Sequence, residues 1–131
     1  MGRVWAARLA SGLVTLFLSI DALGKILRPA PVVEGTVRLG YQESVLIPLG
    51  VVLGLCTLLY AIPRTSVLGA ILLTGYLGGA VATHVRVGDS LFSIVFPVLV
   101  GTVAWGGLWA GDSRLRGLIP LMSEYGDASG H

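Results

Sequence analysis

The sequence predicts an all-α fold, a four-helix transmembrane bundle in up-down-up-down order. Three observations predict it. Residues 44–63, 65–83 and 90–111 carry no charged side chain. Each run is close to the roughly 20 residues a helix needs to cross a hydrocarbon core about 30 Å thick. Mean hydropathy is +0.85, with only 12% of the 131 residues charged and 54% hydrophobic. A soluble fold, with about 25% charged residues, could not cover so much apolar surface with so few charges. Four helices with short loops make one transmembrane domain over 1–117, leaving a C-terminal tail over 118–131.

The first helix is predicted over 4–27. Its uncharged core, 9–20, is too short to span, so the helix must carry Asp21, and with it Lys25, into or against lipid depth. Arg3 and Arg8 ahead of an apolar run imitate a secretory leader. No small-x-small cleavage site follows, and helical spacing continues through Asp21 and Lys25, so an uncleaved span is expected. Pro29 and Pro31 stop the helix, because proline lacks the N–H and clashes with the preceding turn. Segment 28–43, with Arg28, Glu34, Arg38, Tyr41 and Glu43, is then the longest internal loop.

The second helix is predicted over 44–61, followed by a tight Pro63-Arg64-Thr65 connection. Thr65 or Ser66 is expected to cap the third helix, 66–85, by accepting a backbone N–H bond. Residues 87–90 make a turn, and Asp89 or Ser90 caps the fourth helix, 91–110, which Gly111 and Asp112 close. Residues 118–122 are expected on the surface, and 126–131 to be disordered. Gly75 and Gly79, and likewise Gly50 and Gly54, form small-x-x-x-small pairs. Such pairs let helices approach closely. They predict packing inside the bundle with the second and third helices as neighbours; a homo-oligomer face is the alternative.

Orientation follows from charge. Arg3, Arg8, Arg64, Arg114 and Arg116 fall on the face with the termini, and Lys25, Arg28, Arg38 and Arg86 on the other. The excess favours cytoplasmic termini in a multi-pass inner-membrane protein. Trp5, Trp105 and Trp109 all fall at the terminus-bearing interface, as an aromatic belt would. The net charge of +2 comes from scattered bases, which excludes a nucleic-acid stripe. The single cysteine, Cys56, permits neither an intramolecular disulfide nor a Cys-x-x-Cys relay and reads as a small core residue.

The polar residues at membrane depth carry the chemistry. Asp21 and Lys25, four apart, share one helix face. A charge at the bilayer centre costs about 2.5–3.5 kcal/mol, and a buried ion pair often does no better than apolar replacements. Lys25 can snorkel to water, but the short Asp21 cannot, so Asp21 reads as functional. His84 and Arg86 point about 160° apart in a continuous helix and converge only if the helix unwinds. Tyr76 lies on the same helix as His84. With no second helical histidine, neither a metal site nor a bis-histidine haem is predicted.

Topology brings Asp21, Lys25, Tyr41, Glu43, His84, Arg86 and Asp89 to one end of the bundle. With Tyr76, such a set can bind a polar headgroup while apolar helices hold its tail. Asp21 and His84 can also act as acid and base, since desolvation shifts carboxyl and imidazole groups toward neutrality. A satisfied interfacial salt-bridge network is the third reading.

Asp21-x-x-x-Lys25, Leu39-Gly40-Tyr41, Pro63-Arg64-Thr65 with Gly69-Ala70, 73–80, Thr83-His84-x-Arg86 and 105–108 together resemble the DoxX-like family of small bacterial membrane proteins. The resemblance covers about 10–117 and is most specific over 63–86. It implies a four-helix bundle in the inner membrane and, through relatives linked to thiosulfate:quinone oxidoreductase and other redox partners, a quinone or a redox partner protein. This chain has no paired cysteines and no cofactor motif. Three functions stay open. The first is an accessory or ligand-binding subunit in the lipid bilayer, holding a quinone- or lipid-like amphiphile. The second is a membrane enzyme of isomerase or cyclase type using Asp21 and His84. The third is a subunit of a quinone-linked oxidoreductase.

Overall fold

The apolar runs fold as helices because a backbone surrounded by lipid must satisfy its own N–H and C=O groups. The computed structural model describes residues 2–119. Among them lie α1 (Gly2–Leu27), α2 (Ala30–Arg38), α3 (Leu46–Ala61), α4 (Ser66–Arg86), α5 (Leu91–Gly111) and α6 (Ser113–Leu118). Four helical segments are long and apolar enough to cross a membrane: Gly2–Leu27, Glu43–Ala61, Pro63–Arg86 and Leu91–Gly111.

These four pack as a closed ring. α1 packs on α3 and α5, and α4 packs on the same two helices, so α1 and α4 stand on a diagonal. Along α1 and α3 the contacts run in opposite senses. Early in α1, Ser11 meets Tyr60 late in α3. Late in α1, Ala22 meets Gly50 and Gly54 early in α3. The core runs through Val14, Leu18 and Ala22 of α1, Leu53 and Cys56 of α3, Ala70, Leu73 and Leu77 of α4, and Val100 and Ala104 of α5. Tyr60 ties three helices at the terminus-bearing end. Its hydroxyl donates to the Ala104 carbonyl at 2.8 Å and lies 3.1 Å from Ser11 Oγ.

Several local expectations are corrected. Segment 28–43 is not a simple loop, since it contains α2. Arg28 breaks α1 with a left-handed φ of 56°. Pro31 then sits in the first turn of α2, where its missing N–H costs nothing and its fixed φ is already helical. Thr65 and Ser66 do not cap α4. Their hydroxyls donate backward, to the Leu59 carbonyl at 2.7 Å and the Tyr60 carbonyl at 2.7 Å, and so satisfy the carbonyls that α3 leaves open at its end. Ser90 does cap α5, accepting from the Ser93 N–H at 3.3 Å.

The glycine pairs divide. Gly50 meets α1, where an added Cβ would lie 2.9 Å from the Ala22 carbonyl oxygen. The close approach of α3 and α4 is made at Gly69, where an added Cβ would lie 2.2 Å from the Tyr60 nitrogen. Gly75 and Gly79, expected to pack, have no packing neighbour within 4 Å of where a Cβ would stand. Leu118 and Ile119 are exposed; the rest of the expected surface segment and tail, 120–131, lies outside the described residues.

Candidate functional site

Helices on a diagonal, not packed side by side, leave space between them. At the end opposite the termini, that space is a cavity of about 530 Å³ between α1 and α4, flanked by α5 and by Leu49 of α3, with α2 across its mouth. Gly75, Gly79 and Ala80 of α4 line it, so missing side chains create the room. Phe17, Leu18, Leu77, Phe96, Pro97 and Val100 give it apolar walls. Phe17 and Phe96 meet edge to face with centroids 5.4 Å apart, joining α1 to α5 at the wall.

The polar lining gathers Asp21, Lys25, Thr36, Arg38, Tyr41, Tyr76, Thr83 and His84. Asp21 and Lys25 form an ion pair one helical turn apart, with Nζ 2.5 Å from Oδ1. The lysine side chain is the more covered, 17% exposed against 39% for the aspartate. Lys25 therefore does not reach out to water and stays with its partner. α1 begins at Gly2 and extends through 26 residues, about 39 Å at about 1.5 Å per residue, which exceeds a core of about 30 Å. Asp21 lies about 9 Å from the helix end. It can sit near the edge of the hydrocarbon, which eases the misfit its short apolar run implied.

On the opposite wall, His84 Nδ1 is 2.8 Å from Asp89 Oδ2. Asp89 stands in the turn between α4 and α5, with Arg38 of α2 3.9 Å from the same oxygen. The His84 hydrogen bond, helped by the Ser90 N–H and the charge of Arg38, holds the Asp89 carboxyl below the usual carboxylate range. A carboxylate in that state accepts, so Nδ1 carries the proton and Nε2 is left for other use. Thr83 Oγ1 donates to the Gly79 carbonyl at 2.8 Å, so it accepts from the Tyr41 hydroxyl at 2.7 Å.

Of the residues singled out from sequence, Asp21, Lys25, Tyr41, Tyr76 and His84 line the cavity. Glu43, Arg86 and Asp89 do not. Glu43 is exposed and lies 3.9 Å from Arg28. Arg86, directed away from His84 by an unbroken helix, donates to the Leu39 carbonyl at 2.8 Å and steadies the end of α2. Sequence reasoning placed Asp89 at this end of the bundle without its His84 partner, and did not count Arg38 and Thr83 among the site residues. Pro31 followed by Val32, Val33 and Val37 at helical spacing was the signal for α2, and with it for Arg38. Asp89, five residues beyond His84, could be found only by folding the helix end back on itself. Among the described residues, no group of three metal-ligating side chains stands close enough to hold an ion.

A family model described as the DoxX-like family matches residues 9–107. No curated protein and no solved structure matches the chain.

Proposed function

The chain belongs to the DoxX-like family, and on that premise we propose that it is a ligand-binding membrane protein holding a quinone- or lipid-like amphiphile in the cavity beneath α2. One observation carries this reading. A space of about 530 Å³ joins apolar walls to a polar end, within the range of small-molecule sites. Its polar end is nearly charge-balanced, which suits a polar head, and the phenylalanines suit an apolar body. We take the membrane to be the bacterial inner membrane with the termini in the cytoplasm, as the arginine distribution favours.

Native mass spectrometry on gently extracted protein tests it. An apolar adduct is expected on the wild type and expected to be lost when His84→Phe and Tyr76→Phe are combined. Protein that carries none, and takes up neither decylubiquinone nor a short-chain lipid, would end this reading.

A catalytic reading gains support from one further contact. Asp21 and His84 line the same cavity, and Asp89 orients the imidazole. Asp21 and His84 would then serve as acid and base on a hydrophobic substrate of an isomerase or cyclase. Product formation from the extracted adduct, followed by a shift in chromatographic retention, would show it. Turnover persisting in both Asp21→Asn and His84→Ala would dismiss it.

A further inference from the structure

The polar atoms at the cavity that still have hydrogen-bonding capacity define what head group it can hold. Lys25 donates to Asp21 Oδ1, and Asp21 Oδ2 has no partner among the described residues. His84 spends Nδ1 on Asp89, and Nε2 likewise has no partner. The Tyr41 hydroxyl is spent as a donor to Thr83. Asp21 Oδ2 and, in the neutral imidazole, His84 Nε2 thus remain as acceptors on opposite walls, and the Tyr76 hydroxyl in the same lining, with no hydrogen-bond partner among the described residues, remains able to donate or accept. Charge adds a second restriction. Lys25 is matched by Asp21 at 2.5 Å, and Arg38 faces Asp89 at 3.9 Å. An anionic head would meet the Asp21 carboxylate, and a cationic head would meet Lys25 and Arg38. Neither charge is offset without breaking an existing pair, and leaving a charge unpaired in an apolar site is costly.

We propose that the cavity is built for an uncharged, hydroxyl-bearing apolar molecule, an alcohol or a phenol, whose hydroxyl donates to His84 Nε2. This rests on the amphiphile reading above and narrows it. Asp89 is the positioning residue, because its carboxylate fixes which imidazole nitrogen is bare. A ketone, an ether or a fully oxidised ring can accept from Tyr76 but offers no proton to Nε2, and the loss of that one hydrogen bond lowers affinity about tenfold.

The test measures affinities of the purified full chain in nanodiscs. Farnesol is compared with farnesyl methyl ether and farnesyl phosphate, and decylubiquinol with decylubiquinone. The hydroxyl form is expected to bind about tenfold tighter than its matched partner. That preference should vanish in His84→Phe and return in part in His84→Gln, which restores an acceptor. A preference for farnesol alone identifies an aliphatic alcohol, and one for decylubiquinol alone a phenol. Equal binding of ether and alcohol together with equal binding of quinone and quinol overturns the proposal, as does tightest binding of the phosphate. Gly79→Leu separates the two levels of inference. If it leaves every affinity unchanged, or if the wild type binds none of the probes, the cavity itself is wrong. If it abolishes binding while no hydroxyl preference exists, only the class is wrong.

Discussion

Filling the cavity from the α4 side is the most direct test of what Gly75 and Gly79 are for. In Gly79→Leu the new Cβ meets no packing neighbour within 4 Å, so the added four-carbon side chain starts in open space on the cavity lining between α1 and α4. Replacing a helical glycine also removes a penalty of about 0.5–1 kcal/mol. Stability should therefore hold or rise slightly. Ligand binding should fall. A ligand that gives up burial equal to four carbons, at about 0.8 kcal/mol per CH₂, loses about 3 kcal/mol, or more than a hundredfold in affinity. Thermal unfolding in detergent and quenching of intrinsic tryptophan fluorescence by an apolar probe read the two quantities on one sample. Unchanged affinity with unchanged stability would refute the cavity as a site. A large loss of stability would show that the Gly75–Gly79 face is covered, by a second copy for instance, and would restore the oligomer reading of that stripe.

Three further outcomes follow from particular contacts. Gly69→Ala should destabilise by about 1–3 kcal/mol or more, because its Cβ would lie 2.2 Å from the Tyr60 backbone nitrogen and a short connection prevents α3 and α4 from separating; Gly78→Ala, with open space around it, is the control in the same unfolding assay. Asp21→Asn should cost about 1–3 kcal/mol by leaving the ammonium of Lys25 unmatched, while Asp21→Asn combined with Lys25→Met should recover most of it, which a double-mutant cycle measures. The carboxyl of Asp89 is held low mainly by the His84 hydrogen bond, so its contribution is present above the ordinary carboxylate value near about 3.9 and disappears as pH falls through the lower folded value; the stability difference between wild type and Asp89→Asn should shrink as pH falls below about 4, which acid-unfolding curves of the two proteins measure.

Much of the site was legible from residue type and spacing. Asp21 and Lys25 pair because they are four apart on a helix that cannot avoid them. His84 and Arg86 part company because an unbroken α4 directs them about 160° apart. What spacing could not reveal was the partner across a turn. Asp89 reaches His84 only because the chain folds back at Gly88, which has a φ of 69°, and Arg38 joins them only because α2 exists. The prolines that ended α1 also began α2, and a local reading sees the stop before the start.

The sequence by itself determined the solvent and the fold class. Three long uncharged runs and a fourth interrupted by a carboxylate admit few structures besides spanning helices, since lipid offers no partner for an open backbone. Only the tertiary structure decided what the small residues do. Gly50, Gly69 and Gly79 look alike along the chain, yet the first two are closed by a neighbouring helix and the third opens into empty space. That difference depends on which helices become neighbours and which stand on a diagonal, a matter of distances between segments remote in sequence, and no local pattern of residues encodes it.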